Sequence, residues 1–178
     1  MRNRLIVLLI LLGLLGFAGA EDPATLPKEV LHFDGYTLLL ASQETNPTES
    51  VKEYLLAPEK LDSWTKLAAI HDYPKFNDPV TAAQNQIRAL HERDPRARSS
   101  MIQNPKTGEV IVDFVSVSGN DFVEFDIFKY AKKPGGGVVA EQYALRNYKD
   151  IAGFLRALQP LRPRLLDLMT TTGFKLDQ

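Results

Sequence analysis

The stretch from Glu109 to Tyr148 constrains this chain more than any other. Glu109 to Ser118 is rich in Val, Ile and Phe, residues that suit a pleated, packed surface. Gly119-Asn120 follows, and glycine there supplies the positive φ of a two-residue hairpin loop. Phe122 to Ala131 reads as a second strand, Lys132 to Gly137 as a longer turn, and Val138 to Tyr148 as a third strand. Strands joined in succession by tight turns form an antiparallel meander.

Faces follow from the period of two. With Ser118 opposite Asp121, one face carries Val110, Val112, Phe114, Val123, Phe125, Ile127, Val138, Ala140 and Ala144, and is the expected core face. The other carries Ile111, Asp113, Val115, Val117, Phe122, Glu124, Asp126, Phe128, Glu141, Tyr143 and Leu145. A slip of one residue would mix the two sets. In this register Asp113 lies directly across from Asp126, with Glu124, Glu141 and Tyr143 beside them. Those five residues form the candidate ligand or cation patch, since oxygen donors suit hard cations. The plainer reading is a solvated outer face whose carboxylates pair with Lys129, Arg146 or helix residues. An exposed repulsion predicts that Asp113→Asn raises stability, by no more than about 1 kcal/mol.

The chain's beginning reads as a leader. Arg2 and Arg4 precede the apolar run Leu5 to Phe17, and Ala18-Gly19-Ala20 is a small-x-small cleavage sequence. This pattern predicts a signal peptide over residues 1–20, a mature single domain over 21–178, and a periplasmic or secreted location. After cleavage no membrane span is expected, because the run is shorter than the ~20 residues a spanning helix needs. The chain has no cysteine, so disulfides, thiolate metal sites and lipid anchoring through a cleavage-point cysteine are excluded. Loss of Arg2 and Arg4 takes the formal charge from -1 to -3, which argues against nucleic acid as a partner.

The remaining elements follow from local signals. Val30 to Phe33, Tyr36 to Gln43 and Val51 to Ala57 read as strands, with Asp34-Gly35 closing the first hairpin. Asp62 or Ser63 can cap a helix whose apolar positions include Trp64, Leu67, Ala68 and His71. Asn77-Asp78-Pro79 starts a second helix, with Val80, Ala83, Ile87 and Leu90 on one stripe and Asp94-Pro95 as its end. Ser99 to Asn104 is a strand. Ile151, Phe154, Leu155 and Leu158 make a C-terminal helix that Pro160 and Pro163 should break or kink, with a second segment through Leu165, Leu166, Leu168 and Met169. The expected core packs Phe114, Phe125 and Ile127 against Ile87, Leu90, Phe154 and Leu158.

The result is an α+β fold, an antiparallel sheet of about six to seven strands flanked by helices. Its element order across Tyr36 to Met169, with the helix around Trp64 and the hairpin at Gly119-Asn120, resembles the PsbP-like α/β/α sandwich of thylakoid-lumen extrinsic proteins and some small bacterial envelope proteins. The resemblance implies a binding or accessory role rather than catalysis, acting through a sheet face or adjacent groove on another envelope protein. The alternative is a small envelope hydrolase with an Asp/Glu/Ser site.

Other chemistry finds little footing. His32, His71 and His91 share no metal-ligand spacing and no HExxH pattern occurs, so no metal site and no cofactor are expected. Ser116 and Ser118 lie on a strand without a nucleophile elbow, and no catalytic residue is assigned. Arg88, Arg93, Arg96 and Arg98 gather at a helix end, where cations oppose the negative pole of the dipole. The Lys132-Lys133-Pro134 turn with its three glycines lacks the GK[ST] ending of a phosphate loop.

Overall fold

The computed structural model describes residues 28–119 and 121–177. The signal peptide expected over residues 1–20, the leader that follows it to Pro27, and Asn120 of the hairpin loop lie outside the described residues.

Strands β1 (Val30–Phe33), β2 (Tyr36–Thr45), β3 (Ser50–Leu55) and β4 (Lys66–Tyr73) precede helix α1 (Pro79–Arg93). Then come β5 (Arg98–Gln103), β6 (Val110–Ser118), β7 (Phe122–Lys132), β8 (Val138–Asn147), helix α2 (Ile151–Thr171) and the short β9 (Lys175–Leu176). All nine described strands join one antiparallel sheet in the order β5-β6-β7-β8-β4-β3-β2-β1-β9. The α+β class holds, but the sheet exceeds the expected six to seven strands by β4 and β9.

β4 is the largest departure. The segment read as a helix around Trp64 is a strand between β3 and β8, and Trp64 itself sits in the preceding loop. Leu67, Ala68 and Ala69 are all buried, because a central strand covered on both faces is apolar on both. Such a run carries no alternation, and periodicity cannot separate it from a buried helix turn.

The Gly119 hairpin is the second departure. Ser118 pairs with Phe122, so three residues rather than two make the loop, and Asp121 N–H donates to Ser118 C=O at 2.8 Å. This shifts β7 by one residue. Asp113 lies across from Ile127, and Asp126 across from Phe114. The relation between β6 and β8 stands as expected, but Val123, Phe125 and Ile127 now share a face with Asp113, Glu141 and Tyr143, while Glu124, Asp126 and Phe128 share one with Val110 and Ala140.

Both helices begin at an aspartate cap. Asp78 Oδ1 accepts from Val80 N–H and Thr81 N–H, with Pro79 in the first turn, as the sequence signals. Asp150 Oδ1 accepts from Gly153 N–H at 2.7 Å. α2 runs unbroken through Pro160 and Pro163. Both prolines face solvent, so the carbonyls they leave unbonded, those of Arg156 and Gln159, can turn to water. Meanwhile Leu158, Leu165 and Met169 stay buried, and each contributes about 1.5–3 kcal/mol of burial.

The sheet is therefore a middle layer. α2 packs on the face of Leu31, Phe33, Leu38, Tyr54, Phe125, Ile127 and Tyr143. α1 packs on the face of Val110, Val112, Phe114, Phe128 and Tyr130. Farther along this second face, Trp64 and Leu61 from the β3–β4 connection cover Leu55, Leu67 and Ala144. Phe125 and Ile127 thus meet Leu158 and Phe154, whereas Phe114 meets Leu90 and Ile87 on the opposite side.

Candidate functional site

The five residues of the expected acidic patch do not form one surface. Asp113, Glu141 and Tyr143 face α2, while Glu124 and Asp126 face α1. Asp113, Glu124 and Asp126 are buried rather than solvated.

On the α2 face, Asp113 accepts from Arg162 through both oxygens, at 2.6 and 2.9 Å, a bidentate geometry, and from the Ser100 hydroxyl. Glu141 lies at the end of α2. Gly173 there takes φ +63°, and a Cβ at that position would stand 2.9 Å from Glu141 Oε2, so only glycine leaves the carboxylate its place. Burial pushes the Glu141 carboxyl upward, with Lys129 acting against it. Tyr143 packs edge-on against Phe33 and is held protonated by burial.

On the α1 face the polar groups form a continuous line. His71 Nδ1 stands 2.7 Å from Glu49 Oε1, and its Nε2 stands 2.9 Å from Gln142 Oε1. Gln142 Nε2 donates to Asp126 Oδ1 at 2.8 Å, which leaves its oxygen to accept from His71 Nε2. Burial first, then the charge of Glu124, raises the Asp126 carboxyl well above its ordinary value. Asp126 Oδ2 has no donor among the described residues. A proton on that oxygen satisfies it and can be offered to Glu124. Arg146 donates to Glu124 Oε2 from Nε and Nη2, at 2.6 and 2.5 Å. Its guanidinium lies between the rings of Trp64 and Phe122, at 3.9 and 4.2 Å. The field of Asp126 and Glu124 reaches Arg93 at the end of α1.

A bulge between Leu40 and Ser42 extends this line on β2. It turns Ser42 and Glu44 toward the α1 face, beside Glu53. Burial pushes the Glu53 carboxyl up to about 7, opposed by the charge of His71. Among the described residues, no three His, Asp or Glu side chains converge as a metal site.

Glu49, Glu53, Gln142, Arg162 and Ser100 are not among the residues that the sequence marks as candidates, and His71 stands on a strand rather than on the expected helix. The available signal was a polar residue inside an apolar strand run. Gln142 within Val138 to Leu145, and Glu53 between Val51 and Leu55, are such positions.

Solvent-facing features lie at the ends of the sheet. β5 is one edge, with no strand on its outer side among the described residues. Beside it a groove of about 310 Å³ runs between the β5–β6 hairpin and α2, walled by Ile102, Pro105, Ile111 and Leu166, with Lys129 and Glu109 at its rim. Ile102 is 61% exposed. Near the opposite edge, a groove of about 500 Å³ is bounded by His32, Asp34, Arg164 and Lys175. Arg88, Arg93, Arg96 and Arg98, the basic cluster of the α1 end, are all exposed, and Arg96 approaches Asp94 at 3.8 Å.

A protein-family model matches residues 25–174. The chain belongs to that family. The family's description names no activity, and no curated protein or solved structure matches this chain. The helix around Trp64, one of two local features behind the PsbP-like resemblance, is strand β4, and the hairpin at Gly119 has a different register. No helix of the described residues is long and apolar enough to cross a membrane.

Proposed function

We propose that this protein is an exported binding or accessory module of the cell envelope, acting through the groove beside the β5 edge rather than through chemistry at its carboxylates. One contrast carries this reading. The buried carboxylates of Glu124 and Asp113 are paired with Arg146 and Arg162, whereas an unpaired strand and an apolar groove face solvent. The basic-apolar-small leader sequence supports export, and the family match begins at residue 25, beyond the expected cleavage point. The test is cross-linking capture from envelope extracts with the wild type and Ile102→Lys as baits. A defined partner that the variant fails to retain is expected. Equal capture by both would contradict the groove.

The second reading, a small envelope hydrolase, draws on one observation. His32 Nδ1 stands 3.1 Å from Thr37 Oγ1 and its Nε2 3.0 Å from Asp177 Oδ2, beside the larger groove. Hydroxyl, imidazole and carboxylate in line is the arrangement of an activated nucleophile. Hydrolysis of p-nitrophenyl esters that His32→Ala abolishes would favour it.

A further inference from the structure

We propose that the outer edge of β5 takes up an extended acidic peptide segment as an added strand, with one apolar side chain of that segment in the groove beside Ile102. The inference rests on the binding-module reading and names its ligand.

The edge itself is the first reason. A six-residue strand bonded on one side only presents a row of outward N–H and C=O groups, the template on which extended peptides add. The register supplies the second. Arg98, Ser100 and Ile102 pair with Val115, Asp113 and Ile111, and all three stand on the α2 face. An added strand lays alternate side chains along that same face. The one opposite Ile102 meets the apolar wall that Ile102 forms with Ile111 and Leu166. The one four positions away meets Arg98, which is exposed and has no ion-pair partner among the described residues. Between them lies Ser100, with the half-exposed guanidinium of Arg162 above it.

Charge decides the occupant. Arg96 and Arg98 stand at one end of the edge, and Lys106 stands just beyond the other. In a second copy, paired antiparallel through the same strand, the arginines of one chain would face Lys106 of its partner. Like charges so placed are unfavourable. An acidic segment opposite Ser100 and Arg98 instead meets the guanidiniums of Arg162 and Arg98. The ligand is therefore an extended segment with an apolar residue and, two and four positions along, Asp or Glu.

A phage-displayed library of random peptides of ~10 residues, about one strand length, provides the probe. Selected peptides are then titrated by fluorescence anisotropy against the wild type, Ile102→Lys and Arg98→Glu. Both substitutions are at exposed positions, and an unchanged melting temperature confirms the fold of each. The expected result is enrichment of the apolar-x-acidic-x-acidic pattern, with at least about tenfold weaker binding to either variant, as charge reversal and groove blockage imply. N-methylation of alternate peptide residues should abolish binding on one edge of the peptide and spare it on the other. Several results would overturn the proposal. Peptides that bind both variants as well as the wild type would place recognition elsewhere and leave the binding-module reading standing. Insensitivity to N-methylation on either edge would exclude strand addition. A wild-type dimer in sedimentation, dissociated by Ile102→Lys, would make the occupant a second copy. A library with no binder would remove the peptide ligand, and the cross-linking capture would then decide the broader reading separately.

Discussion

Under α2 the sheet offers Leu31, Phe33, Tyr54, Phe125 and Ile127, and the chief charged contact, Asp113 with Arg162, lies at the rim. Under α1 and the Trp64 loop it offers Phe114, Phe128 and Leu67, but a polar line from Glu49 to Arg146 passes between them. The two sides of one sheet are thus held by different means. Apolar packing tolerates change in proportion to the volume removed. A buried polar line does not, because removal of one member strands its neighbour in a dry interior. Glu49, Asp126 and Glu124 belong to the second kind, and their burial, with that of Asp113, explains why the expected acidic patch is not an open surface.

The largest expected effects compare the two sides directly. Phe125→Ala, on the α2 side, should lower stability by about 3–5 kcal/mol. Arg146→Ala, on the α1 side, should lower it by a similar ~3–5 kcal/mol, since Glu124 is left charged and buried. The two should differ in repair. Glu124→Gln should restore much of what Arg146→Ala loses and nothing of what Phe125→Ala loses. Urea unfolding of the singles and doubles measures both, and purely additive doubles in each case would erase the distinction.

Asp113→Asn should be smaller and destabilising, by about 1 kcal/mol, because its Arg162 partner is 41% exposed and largely screened. The sequence reading predicts the opposite sign, from a repulsion with Asp126 that the actual register removes. Equilibrium unfolding of Asp113→Asn distinguishes the two. Arg98→Glu should change stability by less than about 0.5 kcal/mol, as an exposed edge substitution does. A larger loss in thermal unfolding would mean that the β5 edge is part of the core after all.

Where local chemistry decides, the sequence was a good guide. Asp78-Pro79 starts α1, Asp34-Gly35 closes the β1–β2 turn with both residues at positive φ, and the meander strands lie where β-branched residues gather. The errors share one cause. A period of two assigns faces only where one side of the sheet is wet, since a one-residue slip then shows as acids entering the core. Helices and loops cover both sides, and acids enter the core, Asp113 and Glu124 with arginine partners. The same double coverage hides β4, whose Leu67-Ala68-Ala69 run has no polar side to alternate with. Gln142, Arg146 and Arg162 could not be matched to their carboxylates, because those pairings depend on the register and on the helix positions together.

The central claim is that these acids lie inside the fold, and the most direct test is the unfolding free energy of the wild type measured against pH. Burial raises the carboxyls of Asp126, Glu53, Glu44 and Glu141 in the folded state. A raised carboxyl gives stability that is fully present below its unfolded value, near 4.5 for Glu53, and is lost as the pH climbs through the folded one, about 7. Facing Glu53 are Glu44, Glu49, His71 and Ser42, of which His71 and Ser42 favour its charged form. At about 1.4 kcal/mol for each tenfold change in acidity, Glu53 alone accounts for a fall of roughly 3 kcal/mol between pH 4.5 and 8. The wild type should therefore lose stability steadily across that range, and Glu53→Gln should flatten the slope and be the more stable of the two at pH 8. A wild-type profile that is flat or rising between pH 5 and 8, with Glu53→Gln running parallel to it, would contradict the account.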